Sequence, residues 1–363
     1  MKKLLIVVGT RPNFIKVTRF KKVAAARGKI DVRIVHTGQH FSKNMADVFF
    51  EQFGLAPDIF LEIGAGTPLA QMAGIMEKLE PVVLSERPDM VLVVGDVNST
   101  LAAALVANKL NVPLAHLESG LRSFDNSMPE EHNRVLTDQI TDHYFITEQS
   151  GMDNLLHDGK AKERLHFVGN TMIDTLVAFE DGVKASPVLD ELQLGNGGHV
   201  LMTIHRPATV DVQERLSELL DLIAEVAATR KVVFPIHPRT VKNLERFGLK
   251  AKVDAIQGLE LTEPLDYFAF QKLIATCAFI LTDSGGIQEE STYRRVPCLT
   301  LRPNTERPIT VTMGSNELVP LDMKAVRNAI ARIEAGTFEK GEVPPLWDGK
   351  ATERIFDVLE RVL

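Results

Sequence analysis

The stretch Leu281-Thr282-Asp283-Ser284-Gly285-Gly286-Ile287-Gln288-Glu289-Glu290 decides the fold. Residues 279–282 read as a short buried strand, Ser284-Gly285-Gly286 as a tight turn, and 284–293 as the start of a helix. Such a strand–turn–helix unit presents free backbone N–H groups and the positive end of the helix dipole to a ligand phosphate. Glycine lets the backbone come close to that ligand. A carboxylate one to two turns into the helix, Glu290, is placed to accept hydrogen bonds from ribose hydroxyls. A serine-capped helix with Gln288 and Glu289 nearby accounts for Ser284 but less well for the double glycine.

The same unit recurs on either side. Continuous apolar runs at 4–8, 32–36, 90–94, 112–117, 143–146 and 165–168 are expected strands, as are 200–204, 231–236 and 297–301. Amphipathic stretches at 13–26, 99–110, 210–229, 324–335 and 351–363 are expected helices. Val/Ile/Leu-rich runs separated by helices indicate parallel strands covered on both faces. The pattern weakens over 169–198, where Pro187 and Gly195-Asn196-Gly197-Gly198 read as a linker. No fixed-period repeat appears. The expected fold is α/β, with two Rossmann-like doubly wound domains, 1–170 and 188–345, and the ligand cleft between them.

A chain of 363 residues fits two domains of about 150 residues each. With 45% hydrophobic and 25% charged residues it is neither disordered nor collagen-like nor disulfide-stapled. The 41 basic and 48 acidic residues leave a net charge of −7. That balance disfavours nucleic acid or an anionic membrane as partner, since both need a basic field, but not one small anion in a locally basic site. Cys277 and Cys298 form no zinc or redox pattern and read as buried thiols in a reducing compartment. The apolar run 4–8 is too short for a signal peptide, and no stretch reaches the length of a membrane span. The expectation is a cytoplasmic protein with no membrane insertion.

The residues just after each strand are unusually polar. Gly9-Thr10-Arg11-Pro12-Asn13-Phe14-Ile15-Lys16 is not a dinucleotide fingerprint, and Gly64-Ala65-Gly66 lacks a third glycine at Leu69, so an NAD site is disfavoured. Arg11 and Lys16 suit a phosphate or carboxylate; the plainer alternative is a turn with solvent-facing cations. Gly95-Asp96, His116-Leu117-Glu118-Ser119-Gly120-Leu121-Arg122 and Pro129-Glu130-Glu131-His132-Asn133-Arg134 bring Asp96, Glu118 and one of Glu130 or Glu131 to one sheet edge. Gathered carboxylates repel, which separates their proton affinities and makes an acid/base pair. A pair of glutamates at a helix start also has a purely dipolar explanation. His116-Leu117-Glu118 matches half of a zinc-deaminase signature, but no PCxxC or HExxH follows, so no metal is expected. His205-Arg206 and His237-Pro238-Arg239 follow successive strands and are phosphate or acid/base candidates. Arg302 to Pro308 follows the next strand and is placed to close over a diphosphate.

These segments, taken in order with Gln39-His40, Gly169-Asn170-Thr171, Asp174 and Thr305-Glu306-Arg307-Pro308, resemble the non-hydrolysing UDP-N-acetylglucosamine 2-epimerases over nearly the whole chain. The resemblance implies a glycosyltransferase-B-like pair of domains and interconversion of UDP-N-acetylglucosamine and UDP-N-acetylmannosamine, without metal or other cofactor. It implies that a base takes the C2 proton while UDP leaves C1, that 2-acetamidoglucal and UDP are the bound intermediates, and that UDP adds back after reprotonation on the other face. It places acid/base roles on Asp96, Glu118, Glu130 and His205. It places UDP contacts on Arg11, Lys16, His237, Ser284, Gly285, Gly286, Glu290 and Arg307, with Arg122 and Arg206 as further substrate-binding cations. It also implies that the last helix, about 351–363, packs back on the first domain and that the enzyme is a homodimer.

Departures from the family pattern are local. Asn13-Phe14 stands where Glu-Ala is usual, Phe41-Ser42 replaces a polar pair, and His205-Arg206-Pro207-Ala208-Thr209 replaces His-Arg-Arg-Glu-Asn. Some members bind a second, activating UDP-N-acetylglucosamine near these segments, and the losses predict that this site is absent. The loop between Arg122 and Pro129 is one residue short, which leaves room for a different N-acetyl or C3 substituent. The alternatives are a 2-epimerase of a UDP-2,3-diacetamido uronic acid, or a glycosyltransferase of the same architecture.

Overall fold

The computed structural model describes residues 1–38, 52–64 and 66–363; Gln39-His40, Phe41-Ser42 and Ala65 lie outside the described residues. The chain divides into two compact units, Met1–Phe179 with Pro345–Leu363, and Glu180–Pro344.

Among the described residues the first unit holds a seven-stranded, all-parallel sheet. Its strands are β1 (Lys2–Val8), β2 (Ile30–His36), β3 (Ile59–Phe60), β4 (Met90–Val94), β5 (Leu114–Leu117), β6 (His143–Ile146) and β7 (Leu165–Phe167). They run in the order β3-β2-β1-β4-β5-β6-β7. Every residue of β4 is buried, as is Leu4 to Val8 of β1. One face, through Leu5, Val7, Val91 and Val93, packs on the helices Pro68–Glu86 and Asn98–Lys109.

The second unit holds a six-stranded parallel sheet, again among the described residues. Its strands are β8 (Val200–Thr203), β9 (Val232–Pro235), β10 (Leu259–Thr262), β11 (Phe279–Thr282), β12 (Cys298–Thr300) and β13 (Asn316–Leu318). Their order is β10-β9-β8-β11-β12-β13. Alternation along β8 sends Val200 and Met202 into a core built on the helix Gln213–Ala227. Leu201 points to the opposite face, against the helix Tyr267–Thr276. Period-two alternation with both faces apolar is what a continuous hydrophobic run buried in a parallel sheet must produce.

Both sheets follow one doubly wound plan. Strand order reverses between β1 and β4 in the first unit, and between β8 and β11 in the second. A crevice opens at such a switch beyond the carboxyl ends of the strands.

Some elements differ from expectation. The single helix expected over 13–26 is two, Arg11–Ile15 and Phe20–Arg27. The intervening turn carries Lys16 and Thr18 inward, Lys16 to a carboxylate and the Thr18 hydroxyl to Thr175. The helix expected over 210–229 is likewise Pro207–Val210 followed by Gln213–Ala227. Residues 169–198 carry three short helices, Thr171–Ala178, Glu180–Ala185 and Val188–Glu191. The C-terminal helix Ala351–Val362 belongs to the first unit, where the buried Asp174 carboxylate accepts from the backbone N–H groups of Ala351 and Thr352, at 3.0 and 2.6 Å. No helix among the described residues is long and apolar enough to cross a membrane.

Candidate active site

In the first unit the polar residues collect around Gly95, at the switch point. Gly95 has φ +66, and a Cβ there would stand 3.1 Å from Asn13 Nδ2 and 3.6 Å from both Glu118 Oε2 and Lys16 Nζ. A side chain at this position would enter the space those three groups share. Lys16 Nζ donates to Glu118 Oε2 at 2.5 Å, with both side chains buried. Glu118 itself adopts φ +69, the left-handed region that a non-glycine residue enters at a cost of about 1–3 kcal/mol and that clusters at functional sites.

Asp96 follows Gly95 and keeps 28% of its side chain exposed. Its carboxylate pairs with the Arg134 guanidinium, which also pairs with Glu131. Glu131 in turn accepts from the Ser123 N–H at 2.9 Å, the Ser123 hydroxyl at 2.8 Å and the Phe124 N–H at 3.0 Å. The two neighbouring glutamates thus part company. Glu131 is buried and holds the 123–125 loop, while Glu130 is exposed in the first turn of the helix Pro129–Gln139.

Arg11 opens the helix Arg11–Ile15 and is half-buried. Arg122 is placed inward. Its guanidinium donates to Asp138 at 2.7 Å, to Asp158 at 3.0 Å and to the Leu121 carbonyl at 2.8 Å, with only 5% of the side chain exposed. That positive charge is balanced within the unit.

In the second unit, β8 and β11 end side by side. The Asp283 carboxylate, fully buried, accepts from the backbone N–H groups of His205 (2.9 Å) and Arg206 (2.7 Å) and meets His205 Nδ1 at 2.9 Å. His205 is thereby oriented with Nε2 turned away from the carboxylate and 41% of the side chain exposed. The His237 ring lies 5.4 Å from that of His205, and partial burial followed by the neighbouring His205 charge holds its imidazole below the usual value.

Ser284 occupies the N-cap position of the helix Gly285–Arg294, yet its side chain makes no capping bond. The first N–H groups of that helix therefore lack the satisfaction a serine cap would supply. Above the helix start, Arg307 Nε lies 2.7 Å from Glu289 and Nη1 lies 2.6 Å from Glu306. A Cβ on Gly285 would stand 2.7 Å from Glu306 Oε1 and 2.9 Å from Arg307 Nη1, so glycine at 285 makes room for this cation. Glu290 is buried one turn further on.

In the first unit Lys16, Asp96 and Glu118 lie close to Gly95 at the switch point and Arg11 starts the first helix, while Glu130 is exposed on the helix Pro129–Gln139 and Arg122 is turned inward. In the second, His205, Arg206, His237, Ser284, Gly285, Gly286, Glu290 and Arg307 lie beyond the carboxyl ends of β8, β9, β11 and β12. The sequence reading left out the groups that hold them. Arg134 was signalled by its i,i+3 spacing from Glu131, and Glu306 by its adjacency to Arg307. Nothing local marks Asn13, Asp283 or Asn133 as buried braces. Among the described residues no cluster of three or more His, Cys, Asp or Glu side chains is arranged to hold a metal ion.

A family model described as UDP-N-acetylglucosamine 2-epimerase matches residues 22–360. The UDP-N-acetylglucosamine 2-epimerase of Methanocaldococcus jannaschii is 40% identical over 98% of both chains. The UDP-2,3-diacetamido-2,3-dideoxy-D-glucuronate 2-epimerase of Pseudomonas aeruginosa is 39% identical over 99% of this chain and 100% of its own. A crystal structure of the Methanocaldococcus jannaschii UDP-GlcNAc 2-epimerase in complex with UDP-GlcNAc and UDP aligns with TM-score 0.90 and 39% identity, covering 99% of each chain.

Proposed function

The chain belongs to the UDP-N-acetylglucosamine 2-epimerase family, and from that membership we propose the chemistry of its two polar clusters. It is an isomerase that interconverts UDP-N-acetylglucosamine and UDP-N-acetylmannosamine. A base removes the C2 proton. The C–H electron pair becomes the C1=C2 double bond of 2-acetamidoglucal, and UDP departs from C1 with the C1–O pair. Return of a proton to the opposite face of C2 and re-addition of UDP give the epimer. One face of C2 needs a base and the other an acid, and Asp96, Glu118, Glu130 and His205 supply these roles. Charge develops on the departing diphosphate, where Arg307 and the uncapped start of the helix Gly285–Arg294 stabilise it and Arg11 and Lys16 add positive charge. Ser284, Gly285 and Gly286 bring backbone N–H groups to the phosphates, and Glu290 takes the ribose hydroxyls. Arg206 and His237 flank the His205 turn as further substrate contacts. Arg122 serves through Asp138.

The observation that carries the reading is the environment of Gly95. Two carboxylates of unlike surroundings, Glu118 on a buried ammonium and Asp96 on a guanidinium with part of its side chain in solvent, stand on either side of one turn. The test is incubation with UDP-N-acetylglucosamine in D2O. The expected product is UDP-N-acetylmannosamine carrying deuterium at C2. Transfer of the sugar to an acceptor with no C2 exchange would instead mark a glycosyltransferase.

The Pseudomonas aeruginosa relative supports a second reading, a UDP-2,3-diacetamido uronic acid as substrate. The same assay on both sugar nucleotides separates the two. A homodimer in the cytoplasm, without the second activating nucleotide site, completes the proposal. Sedimentation and a hyperbolic dependence of rate on UDP-N-acetylglucosamine are the corresponding checks.

A further inference from the structure

Three successive carbonyls lead into and through Asp96, and each is captured by a side chain from a different element. Val94 O accepts from Asn13 Nδ2 at 3.2 Å and from the Thr100 hydroxyl at 2.7 Å. Gly95 O meets His116 Nε2 at 2.8 Å. Asp96 O accepts from Asn133 Nδ2 at 2.9 Å. His116 is the costliest of these braces, for it is wholly buried in β5 and its Nδ1 meets the equally buried Asp138 carboxylate at 2.7 Å. Burying an imidazole and a carboxylate together loses the hydration of both, and such a pair often does no better than apolar side chains of the same volume.

We propose that His116, braced by Asp138, is a positioning residue for catalysis: it fixes the Gly95 carbonyl, and with it the left-handed turn that aims Asp96 at C2 of the sugar. The inference rests on the proposed epimerase chemistry and deepens it. Nε2 faces a backbone carbonyl, so Nε2 donates. A carbonyl can only accept. Burial pushes the Asp138 carboxyl upward, but the hydrogen bond and charge of His116, with the Arg122 guanidinium beside it, outweigh that and hold it below the usual carboxylate range. Asp138 is an acceptor too, and its second oxygen takes the Gly120 N–H at 3.1 Å and Arg122 at 2.7 Å. Asp138 thus ties together β5, the Gly120–Arg122 segment and, through His116, the end of β4. His116 itself, with both nitrogens engaged inside the unit, is placed to touch no substrate. Its effect is geometric, and a misplacement of about 1 Å in a reacting group is enough to cost about a hundredfold in rate.

The test compares wild type, His116→Gln and His116→Phe by C2 deuterium exchange, with each rate divided by the concentration of UDP-binding sites found by titration. Dividing in this way removes any inactive fraction. The glutamine amide keeps a donor for one acceptor, and the phenylalanine ring keeps only the volume. Expected are a loss of about tenfold in His116→Gln and about a hundredfold in His116→Phe, with KM and UDP affinity within about twofold of wild type. Exchange per UDP site equal to wild type in either variant would overturn the proposal, as would UDP affinity falling in step with exchange. A measurement on the unaltered enzyme stands beside these. In 15N-histidine-labelled wild type, one imidazole should show a solvent-protected Nε2–H signal that shifts or vanishes in Asp138→Asn. Finding no protected ring N–H rejects the brace even if the variants do not fold. Absence of exchange in wild type with either sugar nucleotide would instead reject the epimerase reading.

Discussion

Lys16 Nζ and Glu118 Oε2 stand 2.5 Å apart with 6% and 3% of their side chains exposed, a buried ion pair. Removing one partner of such a pair costs about 3–5 kcal/mol. Lys16→Met should lower stability by that order in urea unfolding. The double variant Lys16→Met/Glu118→Gln should recover most of the loss. Glu118→Gln alone should lower C2 exchange by at least about a hundredfold, the scale of a lost acid or base, while UDP binding is largely kept. Normal turnover would remove Glu118 from the chemistry.

The Arg134 guanidinium serves two carboxylates, Asp96 and Glu131. Arg134→Met should cost about 3 kcal/mol in thermal or urea unfolding. C2 exchange should fall as well, because Asp96 loses its anchor and the 123–125 loop is released from Glu131. Glu130→Gln should leave stability within about 0.5 kcal/mol, as expected of an exposed residue, so any loss of exchange there reports on chemistry alone.

Gly285→Ala separates nucleotide binding from folding. The position is helical without a positive φ, so alanine suits the backbone. Its methyl group, however, enters the space of Glu306 and Arg307. The expected result is a modestly lowered Tm, from displacement of the buried Glu306–Arg307 pair, with UDP affinity weakened about tenfold, read by calorimetric titration. Arg307→Ala should weaken UDP at least as much. Unaltered UDP binding in both would dissociate the helix start from the diphosphate.

Stability should fall between pH 6.5 and 4. Burial holds His36, His166 and His199 to about 4, against an ordinary 6.5. In that window the folded rings are neutral while the unfolded chain binds protons. Their contribution is complete above pH 6.5 and is lost as the pH falls through the folded values. Unfolding near pH 5 should take up about three protons, a slope of about 4 kcal/mol per pH unit. His143 in the first unit and His237 in the second are lowered by burial as well, so both units lose stability in this window. Asp174, raised by burial, acts in the opposite sense and blunts the first unit's slope at its acid end. Urea unfolding at pH 7, 6 and 5 checks the trend.

The fold was legible because parallel strands buried on both faces need no amphipathic code. Runs such as residues 90–94 identify themselves. Among the edge strands β7 was legible at 165–168, but β3, which spans two residues, and β10 (Leu-Glu-Leu-Thr), which has no fully buried residue, were not. The long helix Pro68–Glu86 also escaped, since Pro81 lies inside it and its inward residues Gln71, Ile75, Leu79 and Val83 form only a narrow stripe. Candidate positions could be named wherever polar residues follow a strand directly. Braces such as Asp138 and Asn133 could not, because their burial arises from distant elements. The pair Glu130-Glu131 shows the limit best: adjacent letters, one exposed and one wholly enclosed, with only Arg134 three residues on to tell them apart.

The clasp between Asp174 and the first residues of the C-terminal helix bears on how the protein is made. Asp174 and its partners Ala351 and Thr352 are separated by the whole of the second unit. A ribosome therefore finishes the second unit before it releases the segment that completes the first. Until the helix Ala351–Val362 is made, the first unit stays open at Phe20, whose ring lies 5.9 Å from that of Phe356. The first unit is in this sense completed only after the second, and a chain lacking residues 345–363 would carry an intact second unit attached to an unsealed first.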